Sequence, residues 1–354
     1  MSRGELFIST PGLTELLKVF SKEGQLYVTA RPVASEPPAL HYIPYSTQSP
    51  SEFTYGEIRP VEPLKSFLFE VREHLLEYPG ADPEAKAPAP KKILVGLKAC
   101  DLESLKTYDS VFAQGEFKDD FYIEKRQATT LISGDCPRPA DFCFCAMLGG
   151  RPYCTEGFDL NMTQVDGGYV IEVGSDKGEK IVSASKSLFK QAAPGQLEQR
   201  SASRKKATDA LNIINKEYEL KKTRQQILAE KETSDAWPEQ LGYCVEDGAC
   251  LFACPTCYCF LLYDQQGKLK GKYERARSWD VCMYAGYSRM AGGGTPRPLL
   301  VDRFRNRFMH KFSHFHDNYG LESCSGCGRC FVGCSANIDV RKVFKALDES
   351  TKRG

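Results

Sequence analysis

Apolar residues recur at helical spacing at Leu13, Leu16, Leu17 and Phe20, which predicts an amphipathic helix from Thr10 to about Lys22. Thr10 reads as its N-cap, Pro11 suits the first helical position, and Gly24 ends it. Residues 26–30 and 41–43 read as strands. A second amphipathic helix is expected over Leu64 to Glu77, followed by a surface loop rich in Pro, Ala and charge from Ala81 to Lys92. Residues 93–97 form a short, wholly apolar strand pattern. Cys100 follows, and Asp101 is placed to cap a helix starting at Leu102. Residues 128–133 predict another strand, and residues 169–173 with 180–182 a hairpin. From Ser201 to Glu232 the chain is highly charged, with Ala207, Leu211, Ile214 and Tyr218 at helical spacing. This reads as one long exposed helix with an apolar stripe, whose charge is that of a solvated face and not a nucleic-acid surface.

The 354 residues, 42% hydrophobic, are enough for two domains with ordinary cores. With 47 basic and 46 acidic residues, net charge favours neither nucleic acid nor membrane as a partner. No apolar run has the length of a signal peptide core or a membrane span. A soluble protein of a reducing compartment, the cytoplasm, is expected. Five histidines are few for a histidine-rich metal enzyme.

Fifteen cysteines change the picture. Their bunching at one- and two-residue intervals suits metal ligation better than disulfides, which could not all form with relaxed geometry. Cys324, Cys327, Cys330 and Cys334 follow the C-x2-C-x2-C-x3-C spacing that wraps a loop around a cubane iron–sulfur cluster. A second copy runs Cys244, Asp247, Cys250, Cys254 and then Pro255, with aspartate for its second cysteine. In the crossed two-loop arrangement, each cluster takes three ligands from one loop and one from the other. Cluster A would use Cys244, Asp247, Cys250 and the remote Cys334. Cluster B would use Cys324, Cys327, Cys330 and the remote Cys254. Zinc sites with four cysteines usually show two separated C-x2-C pairs instead, so the spacing favours iron. Asp247 has three readings: an oxygen ligand to iron, the mark of a three-iron [3Fe-4S] cluster, or a position filled by an unrelated ligand.

The remaining cysteines fall into two groups. Cys100, Cys136, Cys143 and Cys145 number the four ligands that a third [4Fe-4S] cluster needs, on loops that follow strands. Cys257, Cys259 and Cys282 are further candidates, either structural or sharing a cluster with the first group. They lie in an insertion, residues 256–323, between the two cluster loops. The same insertion holds a triple glycine, Gly292 to Gly294, read as a flexible turn, and a basic stretch from Arg303 to Lys311. That stretch could guide an acidic partner, soften the negative charge of the clusters, or simply be a helix with basic and aromatic faces. The pair His314 and His316 is a poor metal signal.

The fold class expected is α+β. A mixed α/β N-terminal domain, residues 1–190, is joined by a charged helical connector, 191–235, to a helix-rich, bacterial-ferredoxin-like dicluster domain, 236–354.

The ordered set Cys250 to Phe260, Ser278 to Met283, Arg303 to Lys311 and Cys324 to Cys330 resembles one family. It is that of the iron–sulfur β subunits of cytoplasmic sulfhydrogenases and the corresponding iron–sulfur subunits of anaerobic sulfite reductases. The segments Gly96 to Leu102, Cys136, Cys143 to Cys145 and Gly157 to Leu160 extend the likeness, which covers most of the chain from about residue 93. The resemblance implies an electron-relay subunit, not catalytic alone and binding no flavin itself. It implies two partners, a flavoprotein NAD(P)H-oxidoreductase subunit and a catalytic reductase or hydrogenase subunit. Two departures stand out: the family usually has cysteine where this chain has Asp247, and proline where it has Ser335. The competing readings are a catalytic sulfur or disulfide reductase with an open iron site, and a zinc-bound interaction module.

Overall fold

The computed structural model describes residues 4–31, 39–45, 54–79 and 88–350. These form two compact units. The first takes the described residues of Met1–Leu64, Ala89–Lys216 and Ser325–Cys327; the second takes those of Lys65–Pro88, Glu217–Cys324 and Gly328–Gly354. The described chain is α+β, as its patterning predicts.

The chain opens with strand β1 (Glu5–Ser9), helix α1 (Thr10–Glu23) and strands β2 (Gln25–Ala30) and β3 (His41–Pro44). Helix α1 buries Leu13, Leu16, Leu17 and Phe20, the predicted face. Its N-cap is Ser9 and not Thr10, with the Ser9 hydroxyl accepting from Gly12 N–H at 3.2 Å. The expected helix over Leu64 to Glu77 does not form. A single helical turn α2 (Lys65–Leu68) is followed by strand β4 (Arg72–Tyr78), both in the second unit. Helical spacing there is overridden by pairing with a strand some 200 residues later, a contact no local pattern reveals. Of the expected loop from Ala81 to Lys92, residues 81–87 lie outside the described ones.

Back in the first unit come β5 (Lys92–Leu97), α3 (Ala99–Tyr108), α4 (Asp120–Ala128), β6 (Thr129–Gly134), β7 (Leu160–Val165) and β8 (Gly168–Val173). Then follow α5 (Asp176–Ala184), β9 (Phe189–Gln191) and α6 (Pro194–Asn215). The sheet order is β3-β2-β5-β6-β7-β8-β1-β9. Strands β2, β5, β6 and β7 are parallel neighbours, and the outer pairings are antiparallel. In β5, residues Ile93 to Leu97 are all buried, the continuous apolar run of a strand covered on both faces. Residues 180–182, expected to form a hairpin with β8, belong to α5 instead. The partner of β8 is β7, joined to it by a two-residue turn at Asp166 and Gly167.

The second unit continues with α7 (Arg224–Lys231), α8 (Ala236–Leu241), α9 (Ala249–Phe252), β10 (Phe260–Gln266) and β11 (Tyr273–Trp279). It ends with α10 (Leu300–Met309), a π-helical turn at His310–His314, α11 (Phe315–Tyr319), α12 (Arg329–Val332) and α13 (Val340–Glu349). The charged stretch from Ser201 to Glu232 is therefore not one helix, since α6 stops at Asn215 and α7 starts at Arg224. Nor is α6 a plain solvated rod. It packs on β7 and β8, and Arg204 reaches Asp135 at 2.7 Å and also pairs with Glu172. The insertion supplies two strands of a three-stranded antiparallel sheet, β10-β11-β4. Arg277 on β11 and Glu73 on β4 form a buried ion pair at 2.7 Å. Trp237, Phe304, Phe308, Phe312 and Phe344 form an aromatic core in this unit. No helix among the described residues is long and apolar enough to cross a membrane.

Candidate metal centres

The loop from Cys244 to Cys254 turns on two left-handed residues, Glu246 at φ 59° and Gly248 at φ 72°. Gly248 is required twice over: a Cβ there would stand 2.8 Å from the Tyr284 hydroxyl. The bend starts the short helix α9, which carries Cys250. The loop at Cys324 repeats the device, with Gly328 at φ 70° opening α12, which carries Cys330. Helices α9 and α12 pack together. Two loops of like spacing thus make like turns. Burial pushes the Cys250 thiol up, and Cys334, Cys244 and Cys254 lie close enough to add to the effect, while Arg307 opposes it. The three predicted cysteine ligands of cluster A are therefore gathered in one region of the second unit.

Asp247 lies on this loop, exposed. One carboxylate oxygen accepts from Ala249 N–H at 3.0 Å, and the other from the Ser335 hydroxyl at 2.8 Å. The two positions at which the chain departs from the family pattern are thus hydrogen-bonded to each other. Ser335 directly follows Cys334, so the bond ties the loop to the segment that carries Cys334. Of the cluster B set, Cys254, Cys324 and Cys330 fall in the second unit and Cys327 in the first.

Helix α10 and the turn after it answer the question of the basic stretch. Arg303, Arg307 and Lys311 recur every four residues and are buried, at 3%, 5% and 5% exposure. They face inward. Arg303 donates to Met283 O at 2.8 Å and to Glu246 at 2.9 Å. Burial alone would lower the affinity of Arg307 and Lys311 for their protons. Cysteine sulfurs reverse this, Cys250 and Cys330 foremost at Arg307, and Cys254 and Cys257 at Lys311. Lys311 Nζ donates to Thr256 Oγ1 at 2.8 Å, to Ser323 O at 2.7 Å and to Cys257 Sγ at 3.5 Å. Lys65, equally hidden from patterning, donates to Leu251 O and Cys257 O, each at 3.1 Å, and lies 4.1 Å from the Trp279 ring. A stripe of buried cations beside thiols is the environment that stabilises thiolates and anionic clusters. The donor set and its charge fit iron–sulfur clusters.

The leftover cysteines separate as their spacing suggests. Cys257, Cys259 and Cys282 lie in the second unit. A hydrogen bond from Cys282 brings the Cys259 thiol down to about 6, helped by the Tyr287 hydroxyl, which donates to its sulfur at 3.4 Å. Cys100, Cys136, Cys143 and Cys145 lie in the first unit and line one cavity. Cys100 is in the first turn of α3, whose N-cap is Lys98 and not Asp101; the Asp101 carboxylate accepts back from Lys98 N–H at 3.2 Å. Arg59, Lys98 and Arg151 line the same cavity. Of these, only Lys98 stands in a segment that sequence patterning singles out. All fifteen cysteines are free of disulfides.

Residues 243–338 match the family model of the 4Fe-4S dicluster domain. The chain is also 29% identical over 301 residues to sulfhydrogenase 2 subunit beta of Pyrococcus furiosus, covering 84% of this chain and 86% of that protein. The second unit thus carries a match to a 4Fe-4S dicluster domain, and the chain as a whole is similar to an iron–sulfur β subunit of a sulfhydrogenase.

Proposed function

We propose that the chain relays single electrons between a flavoprotein NAD(P)H-oxidoreductase subunit and a catalytic reductase or hydrogenase subunit of an anaerobic redox complex. The observation that carries this reading is the pair of like-turned cysteine loops beside the buried stripe Arg303, Arg307 and Lys311. Two clusters would be held by Cys244, Asp247, Cys250 and Cys334, and by Cys254, Cys324, Cys327 and Cys330. Bound there, iron–sulfur clusters supply one-electron redox couples spanning roughly −700 to +450 mV by ligation, charge and exposure. The chain's own residues do the rest. The thiolates fix position, α9 and α12 set the ligand spacing, and Arg307 and Lys311 offset the negative charge that ligation brings into a buried site.

Anaerobic purification of the complex, with identification of its subunits, tests the reading. Co-purification with a flavoprotein and a catalytic partner is expected, with cluster reduction by NAD(P)H only in the assembled complex. Turnover of sulfur or a disulfide by this chain alone, with an artificial electron donor, would replace the relay by a catalytic role. Zinc in place of iron and acid-labile sulfide would replace it by an interaction module.

A further inference from the structure

We propose that the first unit holds a third [4Fe-4S] cluster, ligated by Cys100, Cys136, Cys143 and Cys145, in addition to the two clusters of the dicluster loops. The four cysteines come from three separate stretches of chain yet line one cavity. Topology explains the meeting. β5 and β6 are parallel neighbours, and Cys100 and Cys136 each follow the C-terminal end of one of them. That edge is where open α/β sheets bind ligands. Cys143 and Cys145 reach it through the turn after Cys136. Asn215, at the end of α6, pins that turn by donating to Cys143 O at 2.9 Å.

The guest proposed here is a cluster and not one ion. Among the described residues, no three His, Cys, Asp or Glu side chains converge tightly enough to hold a single metal ion. The four cysteines line one cavity, and a cubane would take one thiolate at each iron corner. A mononuclear zinc site would need them to meet at a point, with sulfur about 2.3 Å from the metal.

The guest must also be anionic. Arg59 is 7% exposed, and its Nε donates to Cys327 O at 2.6 Å. Its Nη2 is buried with no hydrogen-bond partner among the described residues, and the side chain lines this cavity. A buried guanidinium nitrogen without an acceptor is costly. A thiolate-ligated cluster provides acceptors of the right sign at that spot. Cys100 sits in the N-terminal turn of α3, where the helix dipole favours negative charge.

The wall nearest the second cluster loop is closed by backbone. Gly326 and Cys327 line the cavity, and Gly326 O accepts from Phe144 N–H at 2.9 Å. Gly326 has φ 63°, and a Cβ there would come within 2.4 Å of Cys145 N. Only glycine lets the loop approach the third site this closely. The third cluster would thus adjoin the loop tip bearing Cys327, as a further station for electrons.

The test is iron and acid-labile sulfide per chain in the anaerobically purified full-length protein, with spin quantitation of the reduced state. Cys136→Ala and Cys143→Ala should each lose one cluster, about a third of the iron and sulfide, and keep the remaining signals. Cys154→Ser should lose none, because Cys154 is buried outside this cavity. Unchanged iron and sulfide in both alanine variants would overturn the proposal, as would stoichiometric zinc at this site. Should the alanine variants not fold, the unaltered protein still decides, since metal for only two clusters is fatal to the idea. Failure of the dicluster reading would look different: Cys250→Ala and Cys330→Ala would then cost no iron.

Discussion

Asp247 and Ser335 act on one another before either can act on iron. If Asp247 ligates iron, as proposed, a carboxylate is a hard, exchangeable ligand beside three thiolates, and its hold depends on how well it is oriented. The Ser335 hydroxyl supplies that orientation at 2.8 Å, and proline at this position could not donate at all. Partners of this kind, one shell out from the metal, commonly govern how firmly a ligand binds. Ser335→Ala should therefore loosen the Asp247 corner. An exposed hydrogen bond to a carboxylate is worth about 1 kcal/mol, which corresponds to roughly fivefold faster loss of one iron under mild oxidation. The readout is the growth of a three-iron signal in electron paramagnetic resonance. In an Asp247→Cys background, which should give a stable all-cysteine cubane, the same Ser335→Ala change should have no effect. Equal effects of Ser335→Ala in both backgrounds would show that Ser335 does not work through Asp247.

At the level of elements, helix α10 and the π-helical turn after it bring a repeating cation to the cysteines about once per turn. Its other buried positions, Phe304 and Phe308, anchor it in the aromatic core, so the spacing of arginine and lysine is fixed by packing. Removing one buried positive charge beside a cluster, with an effective dielectric constant of about 20, costs the reduced cluster on the order of 2 kcal/mol. Lys311→Met should thus make a nearby midpoint potential more negative by on the order of 50–100 mV in a redox titration. Arg305→Met, on the half-exposed side of the same helix and paired with Asp302 at 3.0 Å, should shift it far less. A helix in this stretch is legible from sequence, as is α1, because the periodicity of their apolar residues is local. Which face of α10 turns inward is not. Its arginines look like a solvated stripe until the thiols opposite them are known. Strand β4 is illegible for a related reason. Its register is set by β11, and a helical run of leucines says nothing about a partner 200 residues away. The dicluster loops are legible because spacing within a loop is chemistry in itself. Arg59 is not, because it carries no motif and meets its cavity only through the fold.

For the whole molecule, metal is part of the charge balance. The sequence is nearly neutral, with a formal net charge of +1, yet it buries Arg59, Lys65, Lys98, Arg303, Arg307 and Lys311. Several of these lie beside cysteines whose thiols are pushed up by burial, Cys143 to about 11 and Cys145 to about 12. In the metal-free chain such thiols stay protonated and neutral, and the cations around them lose their counter-charge. At the proposed third site, cluster binding would convert the thiols to thiolates and restore it. Metal affinity and folding are then linked, because the loaded state is favoured by whatever the clusters contribute. Stripping iron with a chelator under reducing conditions should therefore lower the midpoint of thermal unfolding by well over ~10 °C, measured by circular dichroism. Native isoelectric focusing supplies an independent check of sign. Thiolate-ligated clusters add net negative charge, so the loaded protein should focus below the sequence value of 7.4 and the stripped protein should move back towards it. A stripped chain that melted at the same temperature would mean that the buried arginines and lysines are satisfied without metal. The cation stripe would then be a feature of the fold and not of the clusters.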